Sequence, residues 1–232
     1  MNYKTLAIIT ARGGSKRIPR KNIKDFLGKP IIAYSIEASI KSDLFEEVMV
    51  STDDYEIAEV AQKYGARVPF MRSAKNSDDF ATTADVLLEV LEEYGKIGRN
   101  FDYACCLYPT APFITPQKLQ QAFKLLVESQ ADSVFPVVAF SYPIWRSLKI
   151  ENGRLMMNFP ENLNKRSQDL PVAYHDAGQF YFFQVEKFLT KKKIFSDFSL
   201  PLHVSELEMQ DIDNEVDWKL AELKYRLLYD NV

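Results

Sequence analysis

The apolar positions fall into short continuous runs separated by longer stretches of helical period. Leu6–Thr10 (LAIIT) runs into a glycine-rich loop and reads as a buried first strand. After Pro30, Ile32, Ile36 and Ile40 recur on one face of an expected helix. Glu47–Ser51 (EVMVS) reads as a second strand. Asp53 or Asp54 is placed to cap a helix over Tyr55–Tyr64 that stops at Gly65. Arg67–Met71 reads as a third short strand. Between Thr82 and Tyr94, Val86, Leu87, Val90 and Leu91 keep helical spacing. Asp102–Tyr108 is an expected strand, Pro116–Ser129 a helix and Asp132–Val138 another strand. Strands alternating with helices of this length need crossover connections, so the pattern predicts an α/β protein with a parallel sheet. Ligands in such sheets sit outside the carboxyl ends of the strands. The loops after Thr10, Ser51, Met71 and Tyr108 are therefore the places to look.

From about residue 139 to 171 the rhythm breaks. Pro143, Asn152-Gly153, Pro160 and Pro171 punctuate short strand-like pieces, which fits a projecting hairpin or arm. The pattern returns with the aromatic run Gly178–Gln184 and closes on an amphipathic helix over Asp217–Leu228. Residues 1–232 read as a single domain into which the arm, 139–171, is inserted.

A net charge of −3 gives no global attraction to nucleic acid or an anionic membrane, so any anion site must be local. No window approaches a membrane span, and Met1–Thr10 is too short an apolar stretch for export. Cys105 and Cys106 are the only cysteines; as strand neighbours they point to opposite faces and suit neither a disulfide nor a metal clamp. They read as reduced core residues of a cytoplasmic protein. His175 and His203 are too few for a histidine-rich metal site.

Against that acidic balance, Ala11–Asn22 (ARGGSKRIPRKN) concentrates five Arg and Lys residues behind the first strand. Its glycines allow close backbone approach, Arg grips phosphate oxygens as a fork, and Lys acts as a mobile point charge. The pattern is neither GxxxxGK[ST] nor GxGxxG. A solvated basic turn is the bland alternative, which the joint presence of glycines, charges and strand context disfavours. The stretch resembles the opening motif of the CMP synthetases for nonulosonic acids, the sialic-acid-activating family. The resemblance implies a three-layer α/β/α, mostly parallel Rossmann-like sheet of the nucleotide-diphospho-sugar transferase type, with a projecting dimerisation arm. It also implies that the loop, Ala11, Arg12, Gly13, Ser15, Lys16, Lys21 and Asn22, grips the triphosphate of CTP.

Phe70–Ser73 with Asp78, Asp79 and Thr82–Val86 resembles the second block of that family, which surrounds cytosine and ribose. Arg72 is the expected base contact, since a guanidinium donates to a pyrimidine carbonyl and ring nitrogen. Asp79, Thr82 and Thr83 join it as nucleotide-binding candidates, although helix capping accounts equally well for Thr82, Thr83 and Asp85. Tyr108–Pro112 (YPTAP) resembles the QPTSP motif, with Tyr108 in place of the glutamine of the N-acetylneuraminate enzymes. Lys165–Pro171 resembles RRQDLP, with Ser167 for the second arginine. Tyr174–Tyr181 follows a YxxNGAIY stretch but reads Asp176-Ala177-Gly178-Gln179 within it. These departures are similar to the pseudaminic acid branch, whose members activate a 5,7-diamido sugar for surface glycans or flagellin. The sugar-side candidates are Tyr108, Thr110, Arg166, Gln168, Tyr174 and Gln179. His175 reads as a packed or exposed histidine, and Tyr181 and Phe183 as partly core.

Asp211 and Asp213, two residues apart on an extended segment, point to one face and suit a Mg²⁺ ion beside a triphosphate. The family's metal aspartates fall at these positions. The alternative is a helix start, with Asn214 and Asp217 as a capping pair. The implied reaction is attack of a nine-carbon acidic sugar's anomeric hydroxyl on the α-phosphate of CTP. Arg12, Lys16, Lys21 and Asp211 are the catalytic candidates; the general base stays open among Asp211, a metal-bound hydroxyl and solvent. Phe140, Tyr142, Ile144, Trp145 and Phe159 make the arm more apolar than a solvated loop, and the resemblance implies a homodimer. N-acetylneuraminate, legionaminate or a deoxyoctulosonate are rival sugars, and a non-catalytic nucleotide or sugar sensor is a rival class.

Overall fold

The computed structural model describes residues 3–230; the ends of the expected domain, residues 1–2 and 231–232, lie outside the described residues. In chain order the elements are β1 (Thr5–Thr10), β2 (Asp25–Phe26), β3 (Lys29–Pro30), α1 (Ile32–Lys41), β4 (Glu47–Ser51) and α2 (Tyr55–Lys63). Next come α3 (Thr83–Lys96), β5 (Tyr103–Leu107), α4 (Pro116–Ser129), β6 (Ser133–Ala139), β7 (Leu148–Glu151) and β8 (Arg154–Met157). The chain ends with β9 (Tyr174–Asp176), β10 (Phe180–Gln184), α5 (Val185–Lys191), β11 (Ser199–His203) and α6 (Glu215–Tyr229).

The main sheet runs β11-β6-β10-β5-β1-β4, with β9 also pairing β6. β1 is parallel to β4 and β5, and β11 is parallel to β6, whereas β10 is antiparallel to both β5 and β6. Alternate residues of β1 supply two cores: Ala7 and Ile9 pack under α1, α2 and α4, Leu6 and Ile8 under α3. Cys105 and Cys106 divide between those two cores, as strand neighbours must, and burial pushes both thiols up, Cys106 to about 12. A third cluster seats α6 through Trp218 against Phe26 and Tyr34. Among the described residues no helix is long and apolar enough to cross a membrane.

Several expectations change. Arg67–Met71 is not a strand: it touches β4 by a single bridge, Met49 with Arg67, and then leaves. Pro30 belongs to the short hairpin β2–β3 rather than to the helix, and Ile40 is exposed. Asp54, not Asp53, caps α2 by accepting from the Ile57 amide at 3.0 Å. α5 and β11 form where the sequence showed no clear period.

The arrangement of β9 and β10 positions the site. Both pair with β6, but the chain breaks at 177–179, where Gly178 adopts a left-handed φ of 61°. At that break the Gln179 carbonyl accepts from the Tyr108 amide at 2.8 Å. The antiparallel β10 therefore begins beside the carboxyl end of β5.

Candidate active site

The loops at the carboxyl ends of β1, β4 and β5 enclose a cleft of about 700 Å³. Arg12, Ser15, Lys16, Lys21, Asn22, Arg72, Asp79, Thr83, Tyr108 and Thr110 all line it, as expected from sequence. Asp78, part of the second block, lines it too, as do Arg17, Asn76 and Ala81, which were not singled out, although Arg17 belongs to the same basic run.

The basic loop is held from three sides. The buried Ala11 donates its amide to the Ser51 carbonyl at 2.9 Å, joining the loop to the end of β4. The Gly13 amide donates to Asp53 Oδ1 at 2.8 Å. Asn22, also buried, donates its amide Nδ2 to the Arg12 carbonyl at 2.9 Å. Ser15 Oγ donates to the Ile18 carbonyl at 2.7 Å. Ala11 and Asn22 thus shape the loop from beneath. Of the two glycines only Gly13 is crowded, because a Cβ there would meet Asp54, while a Cβ on Gly14 would meet nothing within 4 Å.

The cations of the loop reach in two directions. Arg12 and Lys16 both bind the Asp79 carboxylate, at 2.9 and 2.5 Å. These two hydrogen bonds hold the Asp79 carboxyl below its usual range. Arg17 binds Asp213 at 2.7 Å, and Lys21 Nζ donates to the Ile212 carbonyl at 2.6 Å. Lys21 is lowered by burial, an effect that Asp213 and Asp211 oppose. The basic loop and the Asp211–Asp213 segment, remote in sequence, thereby share one wall.

Arg72 is buried beneath the cleft. Its Nε donates to Ser51 Oγ at 3.0 Å and its Nη2 to the Ser51 carbonyl at 2.5 Å, which leaves the Nη1 edge for a ligand. Burial lowers its pKa, against Asp53 and Glu89. Thr82 does what a cap does: it accepts from the Asp85 amide and forms a capping box with Asp85 at the start of α3. It does not line the cleft, so the capping reading holds for Thr82 and the lining reading for Thr83.

Asp211 and Asp213 lie outside the cleft lining but against its wall. Partial desolvation, and then the neighbouring Asp213 charge, hold the Asp211 carboxyl above its usual range, although the residue as a whole is exposed. The capping alternative is also realised, since Asn214 and Asp217 form a capping box and Asp217 accepts from the Asp213 amide at 2.9 Å. That box uses the side chains of Asn214 and Asp217 with backbone groups and leaves the side chains of Asp211 and Asp213 out.

The remaining sugar-side candidates stand apart. Arg166 forms an ion pair with Asp169 on the arm, and Gln168 is exposed beside it. Tyr174 is exposed and packs edge-on against His203. Gln179 is buried; its Nε2 donates to the Glu208 carbonyl at 2.5 Å and its Oε1 has no partner. Within one chain none of these four lines the cleft.

A family model described as cytidylyltransferase matches residues 6–224. The chain is 43% identical over 229 residues to a pseudaminic acid cytidylyltransferase of Campylobacter jejuni, covering 98% of this chain and 99% of that protein. It is 33% identical over 221 residues to a CMP-N,N'-diacetyllegionaminic acid synthase of Legionella pneumophila, covering 94% of each. Among solved structures, a CMP:2-keto-3-deoxy-manno-octonic acid synthetase complexed with CTP matches with a TM-score of 0.71. It shares 17% identity over 98% of this chain and 100% of that one, a likeness of fold.

Proposed function

The chain belongs to the cytidylyltransferase family, and from that premise we propose that it transfers CMP from CTP to the anomeric hydroxyl of pseudaminic acid, releasing pyrophosphate. The observation that carries the reading is the convergence of Arg12, Lys16, Lys21 and buried Arg72 on one cleft at the carboxyl ends of β1 and β5. The sugar oxygen attacks the α-phosphorus, and the bond from that phosphorus to the bridging oxygen of the pyrophosphate breaks. Charge then accumulates on the leaving pyrophosphate, where Arg12, Lys16 and Lys21 stabilise it with fixed donors. Arg72, anchored by Ser51, presents its outer edge to the base. The hydroxyl proton leaves to Asp211 or solvent.

Asp211 and Asp213 fit a Mg²⁺ ion. They are two neighbouring carboxylates, one of them held above its usual range by partial desolvation and then by the other's charge, beside cations that would hold a triphosphate. Among the described residues no group of three or more His, Cys, Asp or Glu is placed to hold a metal. Two carboxylates with phosphate oxygens and water are the donor set Mg²⁺ accepts. When bound, the ion supplies neutralisation of the phosphate charge. Asp213 has to release Arg17 to take part.

The apolar arm supports a homodimer in which Arg166 and Gln168 reach a partner's cleft rather than their own. The test of the whole reading is incubation with CTP, Mg²⁺ and, separately, pseudaminic, legionaminic and N-acetylneuraminic acids, with products read by mass. CMP-pseudaminic acid is the expected product. Turnover of N-acetylneuraminic but not pseudaminic acid would overturn the choice of sugar.

A further inference from the structure

The segment that carries Asp211 and Asp213 is fixed at both ends. At its far end Ile212 is buried in the third cluster, its carbonyl accepts from Lys21 Nζ at 2.6 Å, and the Asp213 amide donates to Asp217 at 2.9 Å. At its near end one turn of 3₁₀ helix, Glu206–Glu208, is gripped from three elements. Lys118 on α4 pairs with Glu208 Oε1 at 3.0 Å. Lys224 on α6 donates its Nζ to the Glu206 and Met209 carbonyls at 3.0 and 2.9 Å. Gln179, at the break between β9 and β10, donates its Nε2 to the Glu208 carbonyl at 2.5 Å. Asp211 lies between the two anchors.

Two of these grips are made by side chains that are costly to bury. Lys118 is buried, and burial lowers its ammonium while Glu208 opposes the shift. Gln179 is buried too, and among the described residues its Oε1 has no hydrogen-bond partner. A buried acceptor left unpaired opposes folding, so this amide is a poor stabiliser for the one bond it makes. The turn also closes without either residue, because Glu208 Oε2 accepts from both the amide and the hydroxyl of Ser205 at 2.9 Å. What Lys118 and Gln179 add is its attachment to the rest of the fold. Gln179 carries that attachment to the site itself, since its carbonyl accepts from the amide of Tyr108, which lines the cleft.

We propose that Gln179 and Lys118 are positioning residues that hold the 206–208 turn, and through it the Asp211 carboxylate, at the cleft wall, and so set how strongly Mg²⁺ is bound beside the triphosphate. The proposal rests on the reading of Asp211 and Asp213 as the metal pair and adds what holds that pair in place. Neither positioning residue touches the ion. A carboxylate on a fixed segment loses little freedom when the ion arrives, whereas one on a loose segment must be ordered first. Partners that orient metal ligands from outside typically shift metal affinity by about 10- to 100-fold.

The test leaves out the sugar, so the transfer cannot run. Calorimetric titration of CTP into the protein, without metal and with saturating Mg²⁺, gives the factor by which the ion tightens CTP binding. Gln179→Met keeps the side chain's length and removes the bond to Glu208 together with the orphaned acceptor, so the melting temperature should move little. The expected result is a Mg²⁺ factor reduced about tenfold, with the metal-free dissociation constant for CTP within about twofold of wild type. Lys118→Met leaves Glu208 held by Ser205 and partly in solvent, and should lower the same factor. It keeps the test open if Gln179→Met unfolds. Asp211→Asn lowers the factor by itself, and in that background neither variant should add anything further. An unchanged factor, an equal loss of CTP binding with and without metal, or a further fall in the Asp211→Asn background would overturn the proposal. So would a raised sugar KM with the factor intact, which would make Gln179 a sugar contact. A wild type whose CTP binding ignores Mg²⁺ overturns the metal reading itself, and the proposal falls with it.

Discussion

Arg12 Nη1 lies 2.9 Å from Asp79 Oδ1, and Lys16 Nζ lies 2.5 Å from the other oxygen of the same carboxylate. Asp79, expected from sequence to help bind the nucleotide, thus engages two of the cations assigned to the triphosphate in the proposed reaction. Asp79→Asn should lower the KM for CTP by roughly two- to fivefold at low ionic strength, the size of a solvent-exposed pair. The gain should fade in high salt, where such pairs are screened. Steady-state kinetics at two salt concentrations check this; a raised KM for CTP would show that Asp79 serves the nucleotide directly.

Gly13 is the loop glycine whose missing side chain matters. A Cβ there would come within 2.8 Å of Asp54 Oδ2 and 3.0 Å of its Cβ. Gly13→Ala must push the loop off the start of α2 or move Asp54 away from Arg20. An overpacking cost of about 1–3 kcal/mol follows. The expected outcome is a lower melting temperature and weaker CTP binding by calorimetry, whereas Gly14→Ala, with nothing within 4 Å of its added Cβ, leaves the melting temperature in place.

The alternation of apolar runs made most of the sheet legible, because strands buried on both faces need continuous hydrophobic stretches and α1 to α4 have clear periods. Arg67–Met71 misled because its apolar residues follow the edge of β4 without pairing beyond one bridge. β11 was silent because it is a half-exposed edge strand containing Pro201. In the site, the basic loop was legible from charge density, while the Arg17–Asp213 contact joins residues 196 positions apart and leaves no local trace. Thr82 and Thr83 are adjacent and chemically alike; only the geometry assigns one to the cap and the other to the cleft.

The Asp211–Asp213 pair gives a direct test of metal dependence. Asp211→Asn keeps the shape and removes one charged oxygen donor, so Mg²⁺-dependent pyrophosphate release should fall roughly 100-fold. The Asn214–Asp217 capping box is untouched, so the melting temperature should hold. Pyrophosphate release across a Mg²⁺ titration distinguishes a shifted metal requirement from a general loss. A protein with no pyrophosphate release in either form would instead be a sensor.

Asp54 predicts a pH effect on stability. Its hydrogen bonds from Arg20, at 2.5 and 3.0 Å, lower its folded carboxyl to about 2 from an ordinary 3.8. The folded value lies below the unfolded one, so this stabilisation is complete above about pH 4 and is lost as pH falls toward about 2. Its size is about 2 kcal/mol before screening at the half-exposed Arg20. Asn is itself a good helix cap, so Asp54→Asn removes the ion pair and spares the cap. Urea midpoints should separate the variant from wild type at pH 7 and converge near pH 2; an equal gap at both pH values would refute the linkage.

The arm is the remaining piece, and its exposed apolar surface gives the proposed homodimer its test. Among the described residues β7 and β8 pair only with each other, with Ile150 opposite Leu155. Those two side chains are 74% and 71% exposed, too open for an isolated hairpin that owes its stability to a covered apolar face. Leu148, two residues from Ile150 and paired with Met157, extends the same face, while Trp145 and Phe159, half-buried, pack on each other. Sedimentation at micromolar concentration should give twice the chain mass of 26.8 kDa. Ile150→Asp with Leu155→Asp should give single chains, because a charge at each of two facing positions opposes burial. Since Arg166 and Gln168 stand on the arm and away from their own cleft, the monomer should still bind CTP but lose sugar turnover. A wild type that sediments as a single chain, or a monomeric variant with full sugar turnover, would remove the arm from the active site.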